Sequence, residues 1–364
     1  MPPPLVAHFT KSFARGFQLR AELRIPLDEP SVTVLFGPSG AGKTTILRCL
    51  AGLEQPDHGH ILAGDQAWYD TRRHLSIPPQ QRRIGYLSQD YALFPHLTVR
   101  GNVEYGLHHL PRAGRRERAN SVLQLLEIDA LADRYPRQLS GGQLQRAALA
   151  RTLAPGPCLL LLDEPLSALD APARARLRTE LRRLLVRVGV PTVLVTHDRT
   201  EAIALGDWLV VVVDGEVHQA GAVEEVFRAP RDVATAQALG IETVHPARVV
   251  ERENGLLAVQ AGQTRLLALD TGDVNSDEVF VCIRAEAVVL EQTGPAARTT
   301  ARNRLPGRIT SVISEGPVVR LLIDCGIPLV ALITHQSCEE LMLAEGQAVT
   351  ATLKATAVHL IPRV

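Results

Sequence analysis

The sequence predicts an α/β domain over residues 1–240 followed by an all-β region over 241–364, and three observations carry that prediction. Short, nearly continuous apolar runs alternate with amphipathic helical stretches through the first part. A glycine-rich loop at 37–45 stands between one such run and a helical stretch. Beyond about 245 the texture changes to short β-like runs broken by glycine turns, and this part repeats itself.

The expected strands of the first part are 31–36, 84–88, 158–163, 191–196 and 209–213. Each is a brief apolar run of the kind found in parallel sheets covered on both faces. The stretch 171–188 sets Leu177, Leu181, Leu184, Leu185 and Val188 at helical spacing, with arginines on the opposite face. Strands alternating with helices argue an α/β domain. In the second part, Pro246-Ala247-Arg248-Val249 parallels Pro306-Gly307-Arg308-Ile309, and IRAEAVVL at 283–290 parallels LKATAVHL at 353–360. Two similar small β modules are therefore expected, at 241–295 and 296–364, with EQTGPAARTTARN at 291–303 as the linker.

Composition narrows the function classes. The chain has 364 residues, of which 46% are hydrophobic, enough for two or three cores. Lysine plus arginine (39) equals aspartate plus glutamate (39), a balance that gives no support for a nucleic-acid binder. The arginine pairs Arg72-Arg73, Arg82-Arg83 and Arg115-Arg116 are expected to be solvated surface. Five scattered cysteines, Cys49, Cys158, Cys282, Cys325 and Cys338, show neither zinc-site spacing nor an even disulfide set, and read as small core residues in a reducing compartment. The first residues lack the basic segment and apolar run of a signal peptide, and no apolar run approaches the roughly 20 residues that span a bilayer. A cytoplasmic protein is expected, with any membrane role exercised through a partner.

The loop carries the chemistry. GPSGAGKTT comprises Gly37, Pro38, Ser39, Gly40, Ala41, Gly42, Lys43, Thr44 and Thr45 and satisfies G-x-x-x-x-G-K-[ST] between a strand and a helix. Glycines let successive backbone N–H groups point inward at phosphate oxygens, and the helix N-terminus adds partial positive charge. Lys43 is expected to reach the β- and γ-phosphates of a bound nucleotide, and Thr44 to hold Mg²⁺. CLLLLDEP at 158–165 ends a buried strand in Asp163, expected to orient Mg²⁺, and Glu164, placed to polarise the attacking water.

LSGGQLQR at 139–146 narrows this phosphate-binding class, since it resembles the signature motif of ABC-type ATPases. The other motifs of that family stand in order across residues 5 to 240. Gln89, in YLSQDYALFPHLTV, resembles the Q-loop glutamine; SALD at 167–170 resembles the D-loop; His197, in LVTHD, resembles the switch histidine. Ser140 is a good N-cap, and Gly141-Gly142 leave helix-start N–H groups open to an anion. The resemblance implies that Ser140, Gly141, Gly142 and Gln143 close over nucleotide bound to a second copy, so a homodimer with two composite sites is expected. It also implies that Gln89 senses Mg²⁺ and the attacking water, that His197 contacts the γ-phosphate, and that integral membrane permease subunits are partners at the cytoplasmic face of the inner membrane. Phe13, with Phe17 as the alternative, is expected to stack on adenine. Leu144 and the pair Arg199-Thr200 depart from the family's usual residues at positions away from catalytic atoms.

The last third resembles OB-like regulatory modules of bacterial import ATPases. TTARNRLPGRI at 299–309 with LKATAVHL resembles the molybdate-binding Mop pattern, and the whole chain resembles the ATPases of molybdate import, with tungstate as a related cargo. Thr300, Arg302, Asn303, Lys354 and Thr356 are the candidate oxyanion residues, since a tetrahedral dianion suits hydroxyls, N–H groups and a lysine. Lys354 is one of three lysines, beside Lys11 and Lys43, in a chain that otherwise uses arginine. Molybdate is expected as a regulatory ligand and a periplasmic oxyanion-binding protein as an indirect partner. The alternatives are import of sulfate, ferric iron, a sugar or a polyamine, or a non-transport ATPase of DNA repair or translation. The last is disfavoured by the charge balance and by the absence of long insertions.

Overall fold

The computed structural model describes residues 4–13, 16–27, 29–167, 171–292 and 299–363. Contacts divide the chain into two units, residues 1–227 and 228–364. The division falls before the expected 240/241. Helix Val233–Ala238 belongs with the second unit, its Ala236 sharing a small core with Ile241, Cys282 and Ile361.

In the first unit, Val32–Phe36 lies inside a parallel block ordered Trp208–Val213, Val32–Phe36, Thr192–Thr196, Leu159–Asp163, Ile84–Leu87. Three of these strands, Val32–Phe36, Leu159–Asp163 and Thr192–Thr196, are buried at every residue, as their unbroken apolar runs require. Helix Lys43–Ala51 follows the first of them and buries Ile46, Leu47 and Leu50 in one core with Leu35, Leu161 and Val193. Helix Ala171–Val188 has the expected bounds.

The sheet continues beyond the parallel block through Glu216–Ala222 into antiparallel strands Gln18–Ile25, Leu5–Ser12, His58–Ala63, Gln66–Asp70 and Leu75–Ser76. The sequence reading lacked these strands. The signal existed in Gln18–Ile25, where Leu19, Ala21, Leu23 and Ile25 alternate strictly inward.

Two other sequence expectations fail here. Arg82 is not solvated: it is 2% exposed, its Nη1 donates to the carbonyls of Cys49 (2.8 Å) and Leu50 (2.9 Å), and its Nε donates to that of Ile77 (2.9 Å). The guanidinium thus satisfies carbonyls at the C-terminal end of the helix after the glycine loop, where the helix dipole favours a cation. Cys158 is not core but exposed, its Sγ against the carbonyl of Arg83 at the edge where its strand begins. Cys49, Cys282 and Cys325 are buried, and all five thiols are free.

The second unit holds two five-stranded antiparallel sheets. The repeated segments form them by exchanging their last strands. Val289–Gln292, from the first repeat, pairs with Ala348–Leu353 of the second. Val358–Pro362, from the second, pairs with Glu278–Ile283 of the first. One buried cluster, including Leu257, Val281, Leu305 and Leu321, serves both sheets. The modules expected at 241–295 and 296–364 are therefore interlocked rather than self-contained. Residues 293–298 of the expected linker lie outside the described residues.

Candidate active site

The glycine loop is shaped by its neighbours. A Cβ on Gly37, whose φ is +153°, would stand 2.0 Å from the carbonyl oxygen of Val212, so only glycine fits where the loop leaves its strand. Lys43, at the first turn of the helix and 5% exposed, turns back over the loop, and its Nζ donates to the carbonyls of Gly37 (2.8 Å) and Pro38 (2.7 Å). Burial lowers its pKa, and the nearby carboxylates of Glu164 and Asp163 oppose that shift.

Asp163 ends its strand 7% exposed. Thr44 Oγ1 donates to its Oδ1 at 2.8 Å, and Tyr86 Oη donates to its Oδ2 at 3.0 Å. The hydroxyl and carboxylate form a hard-oxygen donor set that fits Mg²⁺. Glu164 follows in the left-handed region, φ +44°, with its N–H on the carbonyl of Val195 (3.1 Å) and its carbonyl accepting from Ser167 Oγ (2.9 Å). An αL glutamate stores on the order of 1–2 kcal/mol of backbone strain, and these contacts hold it there. Its Oε1 lies 3.0 Å from His197 Nδ1, so the strand-end pair Glu164 and His197 meets across the sheet.

A cavity of about 280 Å³ is lined by Phe13, Phe17, Ser39, Gly40, Gly42, Lys43, Thr44, Thr45 and Glu164. Both aromatic candidates border it, their ring centres 5.8 Å apart, and the geometry does not choose between them. Gln89 is exposed just past strand Ile84–Leu87, at the sheet end that carries Asp163, and is not among the lining residues. Of the D-loop motif, Ala168, Leu169 and Asp170 lie outside the described residues.

Ser140 caps helix Gly141–Leu153 in a capping box with Gln143, whose Oε1 accepts from the Ser140 N–H at 3.0 Å. Ser140, Gly142 and Gln143 line a separate concavity with Arg146, Arg176 and Glu180, sharing no residue with the phosphate cavity. Sequence reasoning missed the ties between the two regions. Gln145 Nε2 (3.1 Å) and Tyr91 Oη (3.0 Å) both donate to the carbonyl of Pro165, one residue after Glu164. Tyr86 was missed as well; its apolar ring hid a polar role that only the neighbouring strand reveals.

In the second unit, Thr300, Arg302, Lys354 and Thr356 are exposed. Asn303 pairs with Leu353 in register, which sets Arg302 and Lys354 on adjoining positions. Asn303 itself is 3% exposed and spends its amide on the other sheet: Oδ1 accepts from the Leu267 N–H (2.7 Å) and Nδ2 donates to the Leu267 carbonyl (2.9 Å). A buried amide so engaged clamps the sheets and is not free for an anion. Thr243, sixty residues earlier in the repeat, does the same work with one bond, its Oγ1 accepting from the Val330 N–H at 3.1 Å.

Comparison with known proteins bears on both units. The model of the family described as ABC transporter matches residues 21–167, and that of the TOBE domain matches 299–360. The chain is 36% identical over 348 residues to the molybdenum import ATP-binding protein ModC of Pseudomonas savastanoi, covering 94% of this chain and 95% of the relative. It is 36% identical to the molybdate/tungstate import ATP-binding protein WtpC of Pyrococcus horikoshii, covering 96% and 97%. It is 38% identical to the sulfate/thiosulfate import ATP-binding protein CysA of Thermosynechococcus vestitus, covering 94% of each.

Proposed function

We propose that this chain, which belongs to the ABC transporter family of ATP-binding proteins, hydrolyses ATP to drive import of molybdate, or tungstate, through a membrane permease. The observation that carries the ATPase reading is the convergence of Lys43, Thr44, Asp163 and Glu164 at one cleft, with His197 on the Glu164 carboxylate. The cargo rests on relatives named for molybdenum and molybdate/tungstate import that span nearly the whole chain, together with the TTARN and KATAV segments.

In this reading the loop N–H groups and Lys43 hold the phosphates, with Lys43 leaving the carbonyls of Gly37 and Pro38 for them. Thr44 and Asp163 would hold Mg²⁺, which supplies charge neutralisation on the phosphate oxygens when bound. Glu164 orients and polarises the attacking water, a role worth about 10²–10⁴-fold in rate. His197 keeps the Glu164 carboxylate pointed at the cleft and meets the γ-phosphate. Gln89, exposed past the adjacent strand end and outside the cavity lining, would have to swing in to meet Mg²⁺ and the attacking water. The separation of the Ser140–Gln143 concavity from the phosphate cavity supports a homodimer in which each signature closes the partner's site. No helix among the described residues is long and apolar enough to cross a membrane, so transport calls for permease subunits, with this chain at the inner face of the membrane. A periplasmic oxyanion-binding protein would deliver the cargo. Thr300, Arg302, Lys354 and Thr356 would sense internal molybdate.

The test is uptake of labelled molybdate and sulfate by vesicles holding the chain with its permease, with Glu164→Gln as the dead control. ATP-dependent uptake of molybdate that sulfate does not displace supports the reading. Sulfate is the second reading, because the sulfate/thiosulfate relative is as similar as the molybdenum ones. Uptake of sulfate in preference to molybdate would establish it instead.

A further inference from the structure

Outside the nucleotide cleft, the antiparallel strands gather three histidines on one exposed face. His8 on Leu5–Ser12 stands directly opposite His60 on His58–Ala63, and Thr10 stands opposite His58. His58 and His60, two residues apart on a strand, point to the same side. The rings of His8 and His60 are 5.9 Å apart between centres, tilted by 39°. All three histidines border one concavity of about 450 Å³, with Thr10, Asp70 and Arg72.

We propose that His8, His58 and His60 bind a divalent transition-metal ion of the zinc class at this face. Two imidazoles on one zinc at roughly 2.0–2.1 Å hold their ring centres on the order of 5 Å apart, so the His8–His60 pair has to close by about 1 Å. As they stand, the described residues include no group of three or more His, Cys, Asp or Glu placed to hold a metal ion, so binding requires a rotamer change of the exposed His8 and His58 and the half-buried His60. None of the three rings is committed to a hydrogen bond among the described residues, so no bond has to break first.

The platform beneath them is rigid. Phe9 and Ile61, alternating with the histidines, are 1% and 0% exposed in the core. Gly59, between His58 and His60, has φ +113°, and a Cβ there would lie 2.1 Å from the carbonyl oxygen of His8. That glycine lets the two histidine strands approach more closely than any side chain would permit. Asp70, opposite His60 on the next strand, is already occupied: its Oδ1 accepts from the N–H groups of Arg72 and Arg73. Its Oδ2 lies 3.5 Å from Arg73 Nε, so its charge is paired and it supplies no ligand. Three imidazoles select zinc, copper(II) or nickel over magnesium, which prefers oxygen, and they leave one position for water or an anion. This proposal is independent of the cargo and of the ATPase assignment.

Titration of the full-length chain with Zn²⁺ by calorimetry, without nucleotide, tests it. One equivalent should bind, and His8→Ala and His60→Ala should each weaken binding by about tenfold or more. Cys158→Ser should leave it unchanged. Cobalt(II) in place of zinc should give the intense visible absorption of a four-coordinate site, lost in the His8→Ala/His60→Ala variant with the far-ultraviolet spectrum intact. Binding that survives in that double variant, or that vanishes in Cys158→Ser instead, overturns the proposal.

Discussion

Tyr86→Phe removes one hydroxyl and little else, and the structure says what that hydroxyl does. Each oxygen of Asp163 has a fixed donor, Thr44 on Oδ1 and Tyr86 on Oδ2. If Thr44 turns to Mg²⁺ when nucleotide binds, Tyr86 remains to hold the carboxylate in its metal-facing orientation. A hydrogen bond to a charged group contributes about 1.5–3 kcal/mol. The Tyr86 ring is only half-buried, so water can replace part of the loss and the lower end applies, close to a tenfold change. Burial, then the Asp163 charge, raises the phenol's pKa. A raised acid favours the protonated form, so the donor is intact below the ordinary tyrosine value of about 10 and is lost only as pH climbs through the folded value. The assay is steady-state ATP hydrolysis at pH 7.5 against free Mg²⁺ at fixed ATP. Half-saturation by Mg²⁺ should rise about tenfold, with kcat at saturating Mg²⁺ little changed. An unchanged Mg²⁺ dependence, or a fall in kcat alone, would refute this role for Tyr86.

Three more outcomes are expected. Glu164→Gln should lower turnover by about 10²–10⁴-fold while nucleotide still binds in a filter assay, whereas Lys43→Ala should weaken the binding itself; full turnover by the glutamine variant would remove the general-base role. Arg82→Met should destabilise the first unit by roughly 3 kcal/mol, one for each of the three carbonyl bonds lost, read as a lowered urea midpoint at constant slope; a midpoint like that of an exposed arginine variant such as Arg73→Met would contradict it. His359 Nε2 lies 2.8 Å from the carbonyl of Pro230 and donates to it, since a carbonyl only accepts. Its pKa is lowered by burial, so the unfolded chain binds the proton more readily. Stability from this group is present above the ordinary value of 6.5 and is lost as pH falls below it through the folded value. His359→Asn should flatten the stability profile between pH 7.5 and 5.5, and an equal slope in both proteins would count against the assignment.

Much of the nucleotide cleft was legible because its parts are contiguous. A glycine loop, a strand ending in Asp163 and Glu164, and a histidine after another strand each announce themselves within a few residues. What stayed hidden involves partners far apart in the chain. Tyr86 and Asp163 are on neighbouring parallel strands, and Arg82 reaches back to carbonyls at Cys49 and Leu50. Arg82 read as surface because arginine usually is; helix-end carbonyls brought to it made burial tolerable. Asn303 read as an anion ligand because of its neighbours in sequence, yet the opposing sheet claims its amide.

By itself the sequence determined the parallel strands, the phosphate-binding loop and the internal repeat, since apolar period, turn glycines and short motifs act over neighbouring residues. Tertiary structure alone decided that the two repeats trade their last strands, that His8 faces His60, and that Glu164 meets His197. The reason is physical: pairing in a sheet is chosen by which edges the folded chain brings together, and no local pattern encodes the identity of a distant edge.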